Sequence, residues 1–311
     1  MSDVYLSIVI PVYNEQENIK RLYEQLVKVG RQINKPYEVI FIDDGSNDQT
    51  VAHLKQLENL TIISLRKHFG QSAALDAGFK LAQGETIISL DGDLQNDPAD
   101  IPRLLDKLEQ GWETVCGWRW PRKDPLTKRF ISKGADFLRK ILINDKIHDS
   151  GCTLRAYKRE CLEKLDLYGE MHRFIPALLA MQGFKITEIK VNHRPRVYGQ
   201  TKYNWLRTIK GFVDMINLWF WKKYAHRPLH LFGGGGLILF ILGFVLGIYL
   251  LTVRTFFDVS LQNRIWPLMA VLLVLTGIQL FVSGILADVL NKNYYLSSKN
   301  RPYSIKEIIK Q

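Results

Sequence analysis

The chain has 311 residues, 47% hydrophobic and 23% charged, with a formal net charge of +11. That length allows about two domains of ~100–200 residues, and the composition excludes wholesale disorder. Cys116, Cys152 and Cys161 lack C-x-x-C spacing, which excludes a disulfide framework or zinc site and reads as reduced thiols in a cytosolic compartment. The N-terminal MSDVYLSIVIPVYNE has no basic n-region and no small-residue cleavage site, so it is not a signal peptide.

In chain order, residues 6–10 (LSIVI), 37–42 (YEVIFI), 60–65 (LTIISL) and 86–90 (TIISL) are short apolar runs rich in β-branched residues. Between them, 15–33, 47–58 and 70–83 show helical spacing with exposed charges. Strands alternating with helices of ~10–15 residues predict βαβ units and a mostly parallel sheet. Ligands of such sheets bind beyond the carboxyl ends of the strands. PVYNE, DDGSND and DGDLQND each follow a strand directly, so all three are expected to line one crevice. Residues 98–165 are less regular and more basic, with a strand-like VCGWRW (115–120) and a helix-like stretch over about 126–142.

Residues 203–224 put Trp205, Ile209, Phe212, Val213, Ile216, Trp219 and Phe220 on one helical face, with Arg207, Lys210, Asp214 and Asn217 opposite. Such a stripe, with Trp and Lys as anchors, predicts a helix lying on a membrane surface. Residues 231–253 and 265–287 carry no charge, and each matches the ~20 apolar residues needed to span a ~30 Å hydrocarbon core. Lys222, Lys223 and Arg227 precede the first span, and Lys292, Lys299 and Arg301 follow the second. The connector 254–264 is less basic, so the positive-inside rule predicts a hairpin with both termini cytoplasmic. The GGGG at 233–236 lies within a span and fits close helix packing or a bend, not a phosphate cradle. No nucleic-acid motif accompanies the positive charge; a membrane and an anionic substrate account for it more simply.

The chemistry gathers in the acidic loops. Mg²⁺ is usually held by one or two carboxylates plus substrate phosphates. Asp91 and Asp93, separated by Gly92 after a strand, can turn toward one cation; a solvated turn is the plain alternative. In IDDGSND (42–48), either Asp43 or Asp44 could accept hydrogen bonds from a nucleoside, while Ser46 or Asp48 caps a helix. PVYNE lacks the glycines of a dinucleotide fingerprint, which argues against a nicotinamide cofactor.

Together, IVIPVYNEQENI, VIFIDDGSNDQT, HFGQSAALDAGF and IISLDGDLQNDP resemble the catalytic domain of glycosyltransferase family 2. GCTLRAYKR (151–159), GEMHRFIPAL (169–178) and HRPRVYGQTKYNW (193–205), followed by two spans, are similar to the polyprenyl-phosphate glycosyltransferases. That group includes the bacterial undecaprenyl-phosphate glucosyltransferases of O-antigen (lipopolysaccharide) modification and, more distantly, dolichol-phosphate mannose synthase. The resemblance covers essentially the whole chain. It implies an α/β GT-A fold, Rossmann-like with a mostly parallel sheet, followed by interfacial helices and a transmembrane hairpin. The implied organisation is a cytoplasmic catalytic domain over 1–202, an amphipathic juxtamembrane region over 203–230 and spans at 231–253 and 265–289. A non-cytoplasmic loop over 254–264 joins the spans, and 290–311 is a cytoplasmic tail.

The resemblance further implies that Pro11, Tyr13, Glu15 and an acid of the Asp43–Asp44 pair hold the nucleoside. Asp91, Asp93 and Gln95 would bind Mg²⁺ or Mn²⁺ and the diphosphate, with Arg119 near the donor phosphates. Arg129, Arg196 and Lys202 would clamp the acceptor phosphate. Thr201 stands where relatives often have Ser, and His68 where Asn is common, which leaves the role of His68 open. Asp149 could contact the sugar, assist as a base, or serve as a turn cap. The catalytic set is thus Asp93, Asp149, Arg129 and Lys202.

The expected enzyme is an inverting, metal-dependent hexosyltransferase moving glucose from UDP-glucose to undecaprenyl phosphate at the inner (plasma) membrane, as a homo-oligomer for which relatives imply a tetramer. UDP-4-formamido-arabinose and GDP-mannose are the alternative donors. A processive polysaccharide synthase would need a Q-x-x-R-W motif, which is absent. The rival from another class is a non-catalytic membrane lipid-binding or scaffold protein.

Overall fold

A computed structural model of the chain describes residues 4–120, 147–163, 165–167, 169–195, 228–261, 264–297 and 305–310. The chain divides into two compact units, Met1–Ile216 with Arg301–Gln311, and Asn217–Asn300. The expected helix over 126–142 and the amphipathic stripe over 203–224 lie outside the described residues.

In the first unit the β-branched runs become β1 (Leu6–Val12), β2 (Tyr37–Asp43), β3 (Thr61–Leu65) and β4 (Thr86–Ser89). They alternate with α1 (Ile19–Ile33), α2 (Thr50–Leu54) and α3 (Gln71–Leu81). On α1 the buried Ile19, Leu22, Leu26 and Val29 recur every three or four residues, the spacing of one helical face. Asn34 ends the helix at φ 51°, its N–H donating to the Gly30 carbonyl, a left-handed stop that Asn tolerates.

Two helices are shorter than their patterns, for one reason. The backbone N–H groups of Asn14, Glu15 and Gln16 donate to side-chain oxygens of Ser46, Thr50 and Asp48. Those of Asn47 and Gln49 donate in return to Asn14 Oδ1 and Gln16 Oε1. These residues satisfy each other across two loops, so α1 begins at Ile19 and α2 at Thr50.

The chain continues through α4 (Ile101–Glu109), β5 (Thr114–Arg119), β6 (Arg155–Lys158), α5 (Arg159–Leu162), α6 (Ile175–Met181) and β7 (Ile186–Val191). With β8 (Ile305–Lys310), the strands form one eight-stranded sheet ordered β7-β5-β6-β4-β1-β2-β3-β8. β1 pairs in parallel with both β2 and β4, β2 with β3, and β5 with β7. β6 runs antiparallel between β4 and β5, and β8 antiparallel to β3. Residues 290–311, expected as a tail, therefore include the end of a helix and an edge strand of the first unit's sheet. One apolar cluster joins Leu6, Ile8 and Ile10 to α1 and α4; the other joins Val9, Ile40 and Ile42 to α3 and α6. The period-2 alternation along β1 thus feeds both faces. Strand order reverses beside β1, the topological position at which open α/β sheets bind ligands, at the carboxyl ends of β1 and β4.

The second unit contains α7 (Pro228–Phe257) and α8 (Trp266–Ser297). Leu231–Phe257 and Trp266–Ala287 are long and apolar enough to cross a membrane, with mean hydropathies of 2.6 and 2.3. Their large side chains, including Leu242, Phe244, Leu268 and Leu275, are exposed, whereas a soluble core helix of this length would bury them. Glycine sets the contact between the two helices. A Cβ on Gly236 would lie 2.6 Å from the Gly277 carbonyl oxygen, and one on Gly277 would lie 2.6 Å from that of Gly236. Gly243 meets the Ala270 carbonyl at 2.8 Å in the same way, while Gly234 and Gly235 face open space. The GGGG run therefore serves packing through Gly233 and Gly236. Gly236→Leu is expected to separate the helices and cost about 1–3 kcal/mol, whereas Gly235→Leu should be nearly neutral. Thermal unfolding of the two variants in detergent compares them directly.

Candidate active site

The loops after β2 and β4 reach their neighbours because a glycine in each allows it. A Cβ on Gly92 would strike Val12 Cγ1 at 2.6 Å, so only glycine lets the Asp91–Asp93 turn lie against the end of β1. Gly45, at φ 74°, sits where a Cβ would come within 2.6 Å of the Lys67 backbone, which brings the β2 loop onto the loop after β3.

Asp91 is half-buried and its Oδ1 accepts a hydrogen bond from Gln71 Nε2 at 2.6 Å. Desolvation, then the charge of Asp93, pushes its carboxyl up to about 7, against smaller opposing effects from Thr153, Arg119 and Arg155. Asp93 Oδ1 accepts the Gln95 N–H at 3.1 Å, and Leu94 between them holds φ 61° while buried. A left-handed bulky residue is a strained backbone position, and here it turns the chain so that the Gln95 N–H reaches Asp93. Among the described residues no three His, Cys, Asp or Glu side chains form a ready metal group. Two carboxylates crowded until one resists ionisation are nevertheless the donor set that a hard cation sharing a substrate's phosphates requires. The residues fit Mg²⁺ or Mn²⁺.

Pro11 lies in β1, in register with Ile42. Tyr13 follows the strand and stacks on His68. Glu15 is buried and accepts from Asn18 Nδ2 at 2.6 Å, tying the loop to the start of α1. Asp43 Oδ1 accepts the Ser46 N–H at 3.0 Å. Asp44 Oδ1 accepts from Phe69 N, and its Oδ2 from Gly70 N and His68 Nδ1. Burial raises the Asp44 carboxyl, and those donors oppose the rise. Both acids thus organise the loops, whatever else they bind.

Arg119 and Asp149 meet each other. Arg119 Nε donates to Asp149 Oδ2 at 2.6 Å and Nη2 to Oδ1 at 2.8 Å, a bidentate pair with Asp149 buried. Gly151 N adds a further bond to Oδ1 at 3.2 Å. Desolvation works against the Arg119 charge, but the Asp149 bonds and charge outweigh it and raise the guanidinium further. An acid so fully engaged is poorly placed to collect a proton or a sugar hydroxyl. The buried Arg155 donates to the Ser150 carbonyl at 2.6 Å and the His172 carbonyl at 2.9 Å, pinning the Asp149 loop from behind.

Of the expected acceptor residues, Arg129, Arg196 and Lys202 lie outside the described residues. The segment leading to Arg196 is placed, however. Asn96 bridges His193, Arg194 N donates to the Gln95 carbonyl at 2.9 Å, and Arg194 Nη2 pairs with Asp97 at 2.6 Å. HRP therefore runs alongside DLQND. The three cysteines are buried thiols outside any disulfide. Burial, then Asp149, lifts Cys152 to about 12, so it is no nucleophile.

Sequence reasoning assigned no role to Gln71, Thr153 or Arg155, although each stands in a quoted motif. The position of Gln71, opening a helix directly after a strand-end loop, was the available signal. The Arg119–Asp149 pair joins residues 30 apart in sequence and left no local trace.

A mostly parallel sheet with β6 antiparallel inside it and β8 antiparallel at its edge, carrying its acids at the strand ends, is a GT-A-like fold. Residues 7–166 match the family described as glycosyl transferase family 2, and the chain belongs to that family. It is 35% identical over 312 residues to the dodecaprenyl-phosphate galacturonate synthase of Rhizobium johnstonii, covering 97% of this chain and 92% of the relative. It is 32% identical over 310 residues to the undecaprenyl-phosphate 4-deoxy-4-formamido-L-arabinose transferase of Proteus mirabilis, covering 98% and 94%. A solved structure, glucosyl-3-phosphoglycerate synthase from Mycobacterium tuberculosis in complex with Mn²⁺ and UDP-glucose, superposes with TM-score 0.55 at 17% identity over 70% of this chain and 79% of that one. That likeness is one of fold.

Proposed function

We propose that this enzyme transfers a sugar from a nucleoside diphosphate to polyprenyl phosphate at the cytoplasmic face of the inner membrane. The carrying observation is the Asp91–Asp93 turn at the carboxyl end of β4, where two acids crowd within reach of the Arg119 and Arg155 charges. Two relatives matching nearly the full chain are named for polyprenyl-phosphate transfer. Their names favour galacturonic acid or formamido-arabinose as donor over the glucose expected from the motifs.

Asp91 and Asp93 would hold the divalent cation, and Gln71 keeps Asp91 oriented. When bound, the cation neutralises the negative charge growing on the leaving diphosphate. Arg119, fixed by Asp149, faces the same charge from the protein side. The acceptor phosphate is already anionic, so attack at the anomeric carbon needs no strong base. Asp149 then acts as a positioning residue for Arg119. Attack opposite the nucleotide inverts the anomeric centre and gives a β-linked product from an α-linked donor. Arg129, Arg196 and Lys202 are assigned to the acceptor phosphate, and the exposed apolar faces of α7 and α8 to lipid.

The test incubates membranes containing the chain with polyprenyl phosphate, Mn²⁺ and each of UDP-galacturonic acid, UDP-4-formamido-arabinose, UDP-glucose and GDP-mannose. A lipid-linked product with one of the first two, abolished by EDTA, is expected. No product with any donor would favour the non-catalytic lipid-binding reading.

A further inference from the structure

Three loops meet at the carboxyl ends of β1, β2 and β3 around His68. Its ring stacks on Tyr13 with centroids 4.2 Å apart and planes at 22°. Its Nδ1 lies 2.8 Å from Asp44 Oδ2, and the side chain remains 54% exposed while Asp44 is buried. The backbone beneath is equally fixed: Phe69 and Gly70 donate to Asp44 at 2.8 and 2.9 Å, and Gly45 presses on Lys67 and His68. One face and one edge of the imidazole are thus committed before any ligand arrives.

That commitment sets the tautomer. A carboxylate only accepts hydrogen bonds, so the nitrogen facing Asp44 carries the proton. The neutral ring then presents Nε2 as an acceptor, because the bond at one ring nitrogen decides the role of the other. A third ring cannot enter the stack, since that needs about 7 Å between planes. The Tyr13 face of the imidazole is closed to a base, and the Nε2 edge is the ring's remaining hydrogen-bonding surface. With Asp44 already accepting from Phe69, Gly70 and His68, the imidazole stands between that carboxylate and an incoming base.

We propose that His68 reads the nucleobase of the donor, its Nε2 accepting the imide N–H of a base such as uracil or guanine. Cytosine and adenine place an acceptor at the corresponding ring position and leave Nε2 facing a lone pair, a mismatch that a site built for hydrogen bonding rejects. The assignment rests on the nucleotide-donor reading above and adds selectivity between bases to it.

The experiment measures equilibrium binding of UDP, GDP, CDP and ADP, with Mn²⁺, to the full chain in detergent before and after His68→Phe. Phenylalanine keeps a ring on Tyr13 and lacks the nitrogen acceptor. UDP or GDP is expected to bind the unsubstituted chain more tightly than CDP or ADP. The variant should lose about five- to tenfold for the imide bases, the effect of one hydrogen bond, and should leave CDP unchanged. An unaltered UDP-to-CDP ratio in the variant overturns the role of His68 and leaves the nucleotide site standing. Failure of every nucleotide to bind the unsubstituted chain overturns both.

Discussion

Asp91→Asn is expected to reduce turnover about 10³-fold and, in the same molecule, to make the metal-free protein more stable. On the proposed reading, the first effect follows from removing a carboxylate that would share a cation with the departing diphosphate, a contribution of several kcal/mol at ~1.4 kcal/mol per tenfold. The second follows from the carboxyl's displacement to about 7 by burial and by Asp93. An unfolded chain ionises the same group near ~4. Between those values the fold retains a proton that the unfolded chain has released. The ionised form therefore weighs increasingly against folding as pH rises through this window: not at all below about 4, fully above about 7. Asparagine removes that burden and can still accept the Gln71 bond. With EDTA present, the variant should gain on the order of 2 kcal/mol at pH 8 and nothing at pH 4. Thermal unfolding at the two pH values decides it, and equal stability at pH 8 would remove the case for a strained acid pair.

The next-largest effect concerns the Arg119–Asp149 pair. Asp149→Ala and Arg119→Met are each expected to lower kcat/KM by about 10–100-fold, because on the proposed reading the guanidinium would act on the diphosphate only when Asp149 aims it. If the two work as one device, the double variant should be little worse than Arg119→Met alone, since residues in contact are non-additive. A general base at Asp149 predicts instead that the losses multiply and that the acid limb of the pH–rate profile disappears with Asp149. The double-variant cycle and the profile together separate positioning from proton transfer.

How much was legible in advance depended on whether a residue's partner lay nearby in sequence. β1 to β4 were readable because Leu6–Val12 and its counterparts are β-branched and flanked by turn residues. The hairpin was readable from 23 uncharged residues at 231–253. Helix starts were not, because Ser46, Asp48 and Thr50 capture backbone donors from a loop more than 30 residues earlier. Within the proposed site, Asp91 and Asp93 were singled out by spacing and by their place after β4. Asp149 was not: HDSG is compatible with a base, a sugar contact or a turn, and nothing in it signals the pairing with the Arg119 side chain arriving from β5. β8 was missed for a related reason, as Ile305–Lys310 is a short amphipathic run whose partner strand, Thr61–Leu65, is remote in sequence.

That last strand orders events during synthesis. β3 has left the ribosome well before α7 is made, yet its partner belongs to the final residues of the chain. The edge of β3 therefore waits uncovered while both apolar helices are built, and the sheet reaches its eight strands only after them. A chain that had crossed the bilayer once would strand 305–310 on the far side, with β3 still open to aggregation. On the expected hairpin topology, completion of the sheet doubles as a check that the two helices went in and came back.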